Sequence, residues 1–201
     1  MAEVPTRASI TGVILAGGRG TRMGGADKGW VQWHGRALVE HVRERLLPQV
    51  GRILISANRN VERYGHLGHT VIEDEDEGKG AYLGPLAGML AGLRHAVLPW
   101  VAFVPCDAPA LPLDLVAALA LASSGRHPVL ATCGGQPEPV FCLMPAALAP
   151  ALAAALAGGE RRPAHFLRQA GAVELAFADA AGFANINLPD PPPAALHDEP
   201  S

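Results

Sequence analysis

Residues 11–29 read TGVILAGGRGTRMGGADKG. The apolar run Val13-Ile14-Leu15, with Ile10 just before it, reads as a buried strand. It empties into a segment, Leu15 to Gly29, in which six of fifteen residues are glycine and Arg19, Arg22 and Lys28 are cations. Glycines let backbone N–H groups close on phosphate oxygens, and cations offset the phosphate charge. The reading is a phosphate-binding loop at the end of a sheet strand; the alternative is a flexible strand-to-helix turn with solvated cations. It is not a Walker A loop, because Lys28 follows Asp27 and no Gly-Lys-Ser/Thr occurs. Met23 stands where a GxGxxG pattern needs its last glycine.

Outward from this loop, short apolar runs alternate with amphipathic stretches. Strands are expected at 11–15, 53–56, 70–72, 100–104, 129–132, 140–143 and 173–177, and helices at 37–47, 85–95, 113–123, 147–156 and 164–170. In the second helix Leu86, Met89, Leu90 and Leu93 recur at i, i+3, i+4 and i+7, a face turned to a core, and Pro85 suits its first turn. Strands alternating with helices imply an α/β fold, a mostly parallel central sheet covered on both faces. One domain is expected over residues 1–188, followed by a proline-rich tail at 189–201.

The chain has 201 residues, 49% of them hydrophobic, enough for a sizeable core. A net charge of −3 offers no overall basic field for nucleic acid or an anionic membrane. No apolar run reaches membrane-spanning length, and MAEVPTRASI lacks a signal peptide's apolar centre. Cys106, Cys133 and Cys142 form no CxxC pair, so a reducing cytoplasm is the expected compartment.

Ligands of open α/β sheets sit beyond the carboxyl ends of the strands. The residues to weigh are those just after each strand. Asp107 follows Trp-Val-Ala-Phe-Val-Pro-Cys; it is either a Mg²⁺ ligand bridging to phosphates or a turn residue before Ala108-Pro109. Asp74 follows the third strand within the acidic run EDEDE at 73–77; Glu75, Asp76 and Glu77 read as a solvated face, and Asp74 is kept as a purine-base contact. GHLGH, with His66 and His69, lacks a third ligand and reads as a loop. Cys106 reads as packing.

Taken in order, LAGG-x-G-x-RMGG-x-DKG, SANR, VIED, GPLAGM, PCDAP, GERR and NIN resemble the molybdenum cofactor guanylyltransferases, within the wider Rossmann-like nucleotidyltransferases. The resemblance runs from Thr11 to about Leu188. It implies a three-layer αβα fold and transfer of GMP from GTP to the terminal phosphate of molybdenum-molybdopterin, with Mg²⁺ as cofactor and pyrophosphate released. The residues it points to are the Leu15-Ala16-Gly17-Gly18 backbone around the nucleotide, Arg22 and Lys28 on the β- and γ-phosphates, and Asp107 on the metal. Asp74, with Ser56 nearby, would read the base; Ser56 stands where the family commonly has Asn, with Asn58-Arg59 following. Asn185 and Asn187 would meet molybdopterin, with Arg161 or Arg162 as further candidates. A monomer is expected, in transient contact with proteins that deliver or receive the cofactor. The rival readings are a cytidylyl or sugar-phosphate nucleotidyltransferase and a non-catalytic nucleotide-binding module; LAGG where cytidylyl relatives read LAAG favours guanine by resemblance.

Overall fold

The computed structural model describes residues 3–17, 27–74 and 84–186. Gly18, Arg22, Asn187 and the expected tail lie outside the described residues. The chain runs β1 (Ile10–Leu15), β2 (Gln32–Trp33), β3 (Arg36–Ala37), α1 (Leu38–Leu46), β4 (Arg52–Ser56), α2 (Val61–Gly65), β5 (Thr70–Ile72) and α3 (Pro85–His95). It continues through β6 (Trp100–Pro105), α4 (Leu115–Ser123), β7 (Val129–Cys133), β8 (Gln136–Pro145), α5 (Ala149–Ala157), α6 (Pro163–Gln169) and β9 (Val173–Phe177).

Seven strands form one sheet in the order β5-β4-β1-β6-β8-β7-β9, and each falls on an expected strand. All pairs are parallel except those made by β8, which runs antiparallel to β6 and β7. Alternate residues of each strand serve opposite faces, as the pleat requires. Ile10, Ile14, Ile53, Ile55, Ala102 and Val104 face a core layer with Val39, Val42 and Leu46 of α1 and Leu115 and Leu119 of α4. Val13, Leu54, Val101 and Phe103 face the other layer, with Leu86, Met89 and Leu93 of α3, Leu152 of α5 and Leu167 of α6. Strands covered on both faces have no polar side to show, which is why they read as unbroken apolar runs.

The structure departs from the sequence reading at β8. The apolar pattern marks a strand over 140–143, but the strand extends from Gln136 to Pro145. Pro137 and Pro139 hid its first half. They are tolerated because β8 pairs with β6 only from Cys142 onward; earlier residues pair with β7 alone, leaving one edge without a strand neighbour among the described residues. The reversal is made by Gly134 and Gly135, at φ 56° and 75°, the positive angles a two-residue hairpin turn demands. The β2–β3 hairpin turns likewise through His34 and Gly35, at φ 49° and 75°. That hairpin and α2 are too short to show a period.

Two glycines one turn apart let α3 lie close on the sheet. A Cβ at Gly92 would stand 2.8 Å from Phe103 Cε1 and 3.0 Å from Val13 Cγ2, and one at Gly88 would stand 2.7 Å from Ser56 Oγ. Alanine at an exposed helix position gains about 1 kcal/mol over glycine. At Gly92 the contacts are with fully buried side chains, and overpacking of this kind costs about 1–3 kcal/mol. Gly92→Ala is therefore expected to destabilise the fold by about 1–2 kcal/mol net. Urea unfolding measures it; a midpoint equal to or above the parent's would show that α3 shifts freely.

Candidate active site at the strand ends

Because β1, β4, β5 and β6 are parallel, their carboxyl ends open together. Leu15 is in register with Ser56 and Pro105, and Ser56 with Ile72. The exits are tied to one another: Ala16 N–H donates to the Ser56 carbonyl (2.8 Å), Ala57 N–H to Ile72 (3.0 Å) and Cys106 N–H to Leu15 (3.1 Å). β1 is also where the strand order reverses, with β4 and β5 to one side and β6 to the other. Crevices at such switch points take ligands in open α/β sheets.

On the β6 side stands Asp107, one of five buried polar or charged residues among those described. Its Oδ2 receives Lys28 Nζ at 3.1 Å across 79 residues of sequence. Lys28 leads a short 3-10 turn, Lys28–Trp30, whose N-cap Asp27 accepts from Gly29 N–H. Among the described residues no backbone N–H donates to the Asp107 carboxylate, which argues against its serving as a turn cap. The neighbouring Cys106 is buried, and its thiol is pushed well up by burial, then by the Asp107 charge, which disfavours the thiolate.

Asp74 lies on the β4–β5 side. The Asn58 side chain grips it at two points: Nδ2 donates to Asp74 Oδ2 (2.9 Å), and Oδ1 accepts the Asp74 N–H (2.8 Å). Ser56 Oγ is 3.5 Å from Asp74 Oδ1, a weak contact. A Cβ at Gly17 would lie 3.4 Å from Asn58 Nδ2, so glycine there keeps the loop's first turn close to this pair. Ser56 is expected as the base contact because it stands where the family commonly has Asn; Asn58, two residues on, makes the stronger bonds to Asp74. The signal was in the SANR segment, though not at the position where the family's asparagine commonly falls.

Asn185 reaches the opposite side. The following residue, Ile186, donates its N–H to the Asp107 carbonyl (2.8 Å), so Asn185 is held beside the Asp107 turn and is exposed. Phe183 anchors this segment between Phe141 and Phe177, with ring centroids 4.8 and 5.1 Å away. Gly182 packs on Pro112 where any Cβ would stand 2.7 Å from Pro112 Cγ.

A cleft of about 540 Å³ opens between Gly158–Arg162 and Gln169. Its walls are already engaged. Arg161 donates to the carbonyls of Leu156 (2.9 Å) and Glu160 (2.6 Å), a cation closing the carboxyl end of α5. Glu160 accepts the backbone N–H groups of Arg161 and Arg162 and meets the His165 ring. Those bonds, the Arg162 N–H first, lower its pKa to about 2. Both arginines are exposed, and Arg162 pairs through Nε with Glu160 Oε1 at 3.5 Å.

The described residues include no cluster of three or more metal-ligating side chains. A mostly buried carboxylate at a strand end suits Mg²⁺, which binds through one or two carboxylates and completes its shell with water and substrate phosphates. Asp107 fits that role; a self-contained protein cage does not.

Residues 12–173 match the MobA-like NTP transferase domain. The chain belongs to that family. It is a nucleotidyltransferase, and its curated relatives are similar over nearly their whole length. It is 46% identical to a molybdenum cofactor guanylyltransferase of Cupriavidus taiwanensis over 191 residues, 92% of this chain and 94% of the relative. It is 48% identical to one of Serratia proteamaculans over 179 residues, 89% of each. In fold it is similar to molybdopterin-guanine dinucleotide biosynthesis protein A of Archaeoglobus fulgidus, at a TM-score of 0.65 and 23% identity over 83% of each chain. It is also similar to 2-C-methyl-D-erythritol 4-phosphate cytidylyltransferase of Thermus thermophilus, at 0.64 and 18%, covering 88% of this chain and 92% of that one. The MobA-like family thus shares its fold with cytidylyl enzymes, and the base must be decided by local contacts.

Proposed function

We propose that this enzyme transfers GMP from GTP to the terminal phosphate of molybdenum-molybdopterin, releasing pyrophosphate and forming the molybdopterin guanine dinucleotide. The observation that carries the reading is the placement of two differently built carboxylates on either side of β1: Asp107 against Lys28, and Asp74 against Asn58. The first suits phosphates and a metal. The second suits a base.

The acceptor phosphate is anionic at neutral pH, so its oxygen attacks the α-phosphorus without a general base. That P–O bond forms as the bond from the α-phosphorus to the bridging oxygen of the pyrophosphate breaks. The protein's work is positioning and charge stabilisation. Lys28, with Arg22, offsets charge on the leaving phosphates, while the Leu15-Ala16-Gly17-Gly18 backbone holds the nucleotide. Asp107 would hold Mg²⁺, whose double charge supplies further stabilisation of the phosphates. Asn185 and Asn187 would face the pterin, whose donor-acceptor edge an amide can pair. The working form is a cytoplasmic monomer, meeting delivery or acceptor proteins only transiently. No helix among the described residues is long and apolar enough to cross a membrane.

Asp74 with Asn58 is the proposed guanine reader: a carboxylate accepts from guanine N1–H and N2–H, whereas cytosine has one exocyclic donor. Polar sites reject mismatched partners strongly. With GTP, CTP, ATP and UTP supplied in turn with Mg²⁺ and molybdenum-molybdopterin, pyrophosphate release is expected from GTP alone. Asp74→Ala is expected to lower the GTP preference by more than it lowers turnover. Equal use of GTP and CTP by the parent enzyme would remove the guanylyl reading.

A further inference from the structure

The short helix α2 plays no part in the mechanism above, yet the residues on both sides of Lys28 are bound to it. Tyr64 of α2 is fully buried and ranks among the largest buried side chains. Its hydroxyl donates to Asp27 Oδ1 at 2.6 Å. Asn60, which precedes α2 in the left-handed conformation at φ 53°, donates to Asp27 Oδ2 at 2.9 Å. Asp27 in turn accepts Gly29 N–H at 3.2 Å. A Cβ at Gly29 would stand 2.3 Å from the Tyr64 hydroxyl oxygen, so the close approach requires glycine. Trp30 packs on the Tyr64 ring at 5.0 Å, and the Arg63 guanidinium lies 3.9 Å over Trp30.

Residues 27, 29 and 30 are thus fastened to α2, while the Lys28 side chain extends to Asp107. A lysine has four flexible side-chain bonds and a strongly hydrated head. Its placement depends on how firmly its backbone is held. A buried phenol needs a hydrogen-bond partner, and a carbonyl would satisfy it. Here the partner is a carboxylate one residue from the lysine, and charge-assisted bonds are the stronger, more directional kind. Burial, then the nearby Cys106 and Asp27, raise the Tyr64 pKa far above its ordinary value, so the hydroxyl remains a donor.

We propose that Tyr64 is a positioning residue for GMP transfer: its hydroxyl, acting through Asp27, fixes the turn that sets the Lys28 ammonium against Asp107 and the leaving phosphates. The inference rests on the role given to Lys28 above. Tyr64→Phe keeps the ring packed on Trp30 and removes only the donor. In the full chain, with GTP, Mg²⁺ and molybdenum-molybdopterin, kcat is expected to fall roughly 10- to 100-fold, as for a displaced catalytic group, with KM for GTP nearly unchanged. In a Lys28→Ala background Tyr64→Phe should cost nothing more, because a defect routed through Lys28 is already present there. A general structural defect would lower both backgrounds alike.

A second readout needs no activity. The sequence holds two lysines, Lys28 and Lys79. Reductive ¹³C-methylation gives each a dimethyl signal, assigned with Lys79→Arg. The Lys28 signal should move toward that of free lysine in Tyr64→Phe, and the same shift is expected in Asp107→Asn. A Lys28 signal unmoved by Tyr64→Phe, or an equal loss of kcat with and without Lys28, overturns the proposal. A parent chain that transfers no GMP while its Lys28 signal still responds to Tyr64→Phe supports the positioning contact and removes the guanylyl reading instead. Should Tyr64→Phe fail to fold, Asp27→Ala removes the oxygen that accepts the Tyr64 hydroxyl and carries the same expectations.

Discussion

Lys28→Ala is expected to lower turnover roughly 10²–10³-fold, the loss typical of one donor that stabilises developing charge. The fold should survive, because the Lys28 side chain is 36% exposed. Truncation breaks the ion pair with Asp107 and leaves that mostly buried carboxylate without its cation. The cost is softened where the metal takes the carboxylate, so saturating Mg²⁺ should restore GTP binding but not turnover. Single-turnover pyrophosphate release, beside a thermal melt of the same sample, separates the two effects. A folded Lys28→Ala enzyme with near-parental turnover would take Lys28 out of the mechanism.

Asp107→Asn is expected to be more severe: no measurable transfer, a loss beyond about 10³-fold. The amide keeps the shape but not the charge that attracts a divalent cation, and it offers Lys28 only a neutral acceptor. Two parts of the phosphate side fail together. Isothermal titration of GTP at rising Mg²⁺ reads the metal contribution directly: the parent's affinity should climb with Mg²⁺, and the variant's should stay nearly flat. If the two titrations coincide, Asp107 is a turn residue whose acidity is incidental. Asn185, held beside the same turn through Ile186, is close enough that transfer and acceptor binding should be followed separately in this variant.

The different severity expected of the two carboxylates follows from their surroundings. Asp107 is paired with a cation at the mouth of a fully buried strand. Asp74 is held by the Asn58 amide, which orders it through two hydrogen bonds. Loss of Asp74 should change which nucleotide is chosen; loss of Asp107 should stop the reaction.

The sequence alone determined the layer architecture. The central strands carry their own record, because a strand buried on both faces is apolar at most of its residues, and α3 records its buried face at Leu86, Met89, Leu90 and Leu93. The glycine-rich exit of β1 and the carboxylates after β5 and β6 were legible for a related reason. Strand ends are local features, and a parallel sheet brings its carboxyl ends to one edge whatever the details of register. Tertiary structure decided the rest. The reversal of β8 depends on the Gly134-Gly135 turn, and the prolines just after that turn broke the apolar signal. The choice of Asn58 over Ser56 depends on how far the chain after β4 travels before meeting Asp74. The fastening of Lys28 depends on Tyr64, which by sequence is only an aromatic in a helix too short to have a period. These contacts join residues 16 to 79 positions apart. No local pattern encodes such a pairing, because it arises only when strand register and helix docking have fixed both partners in space.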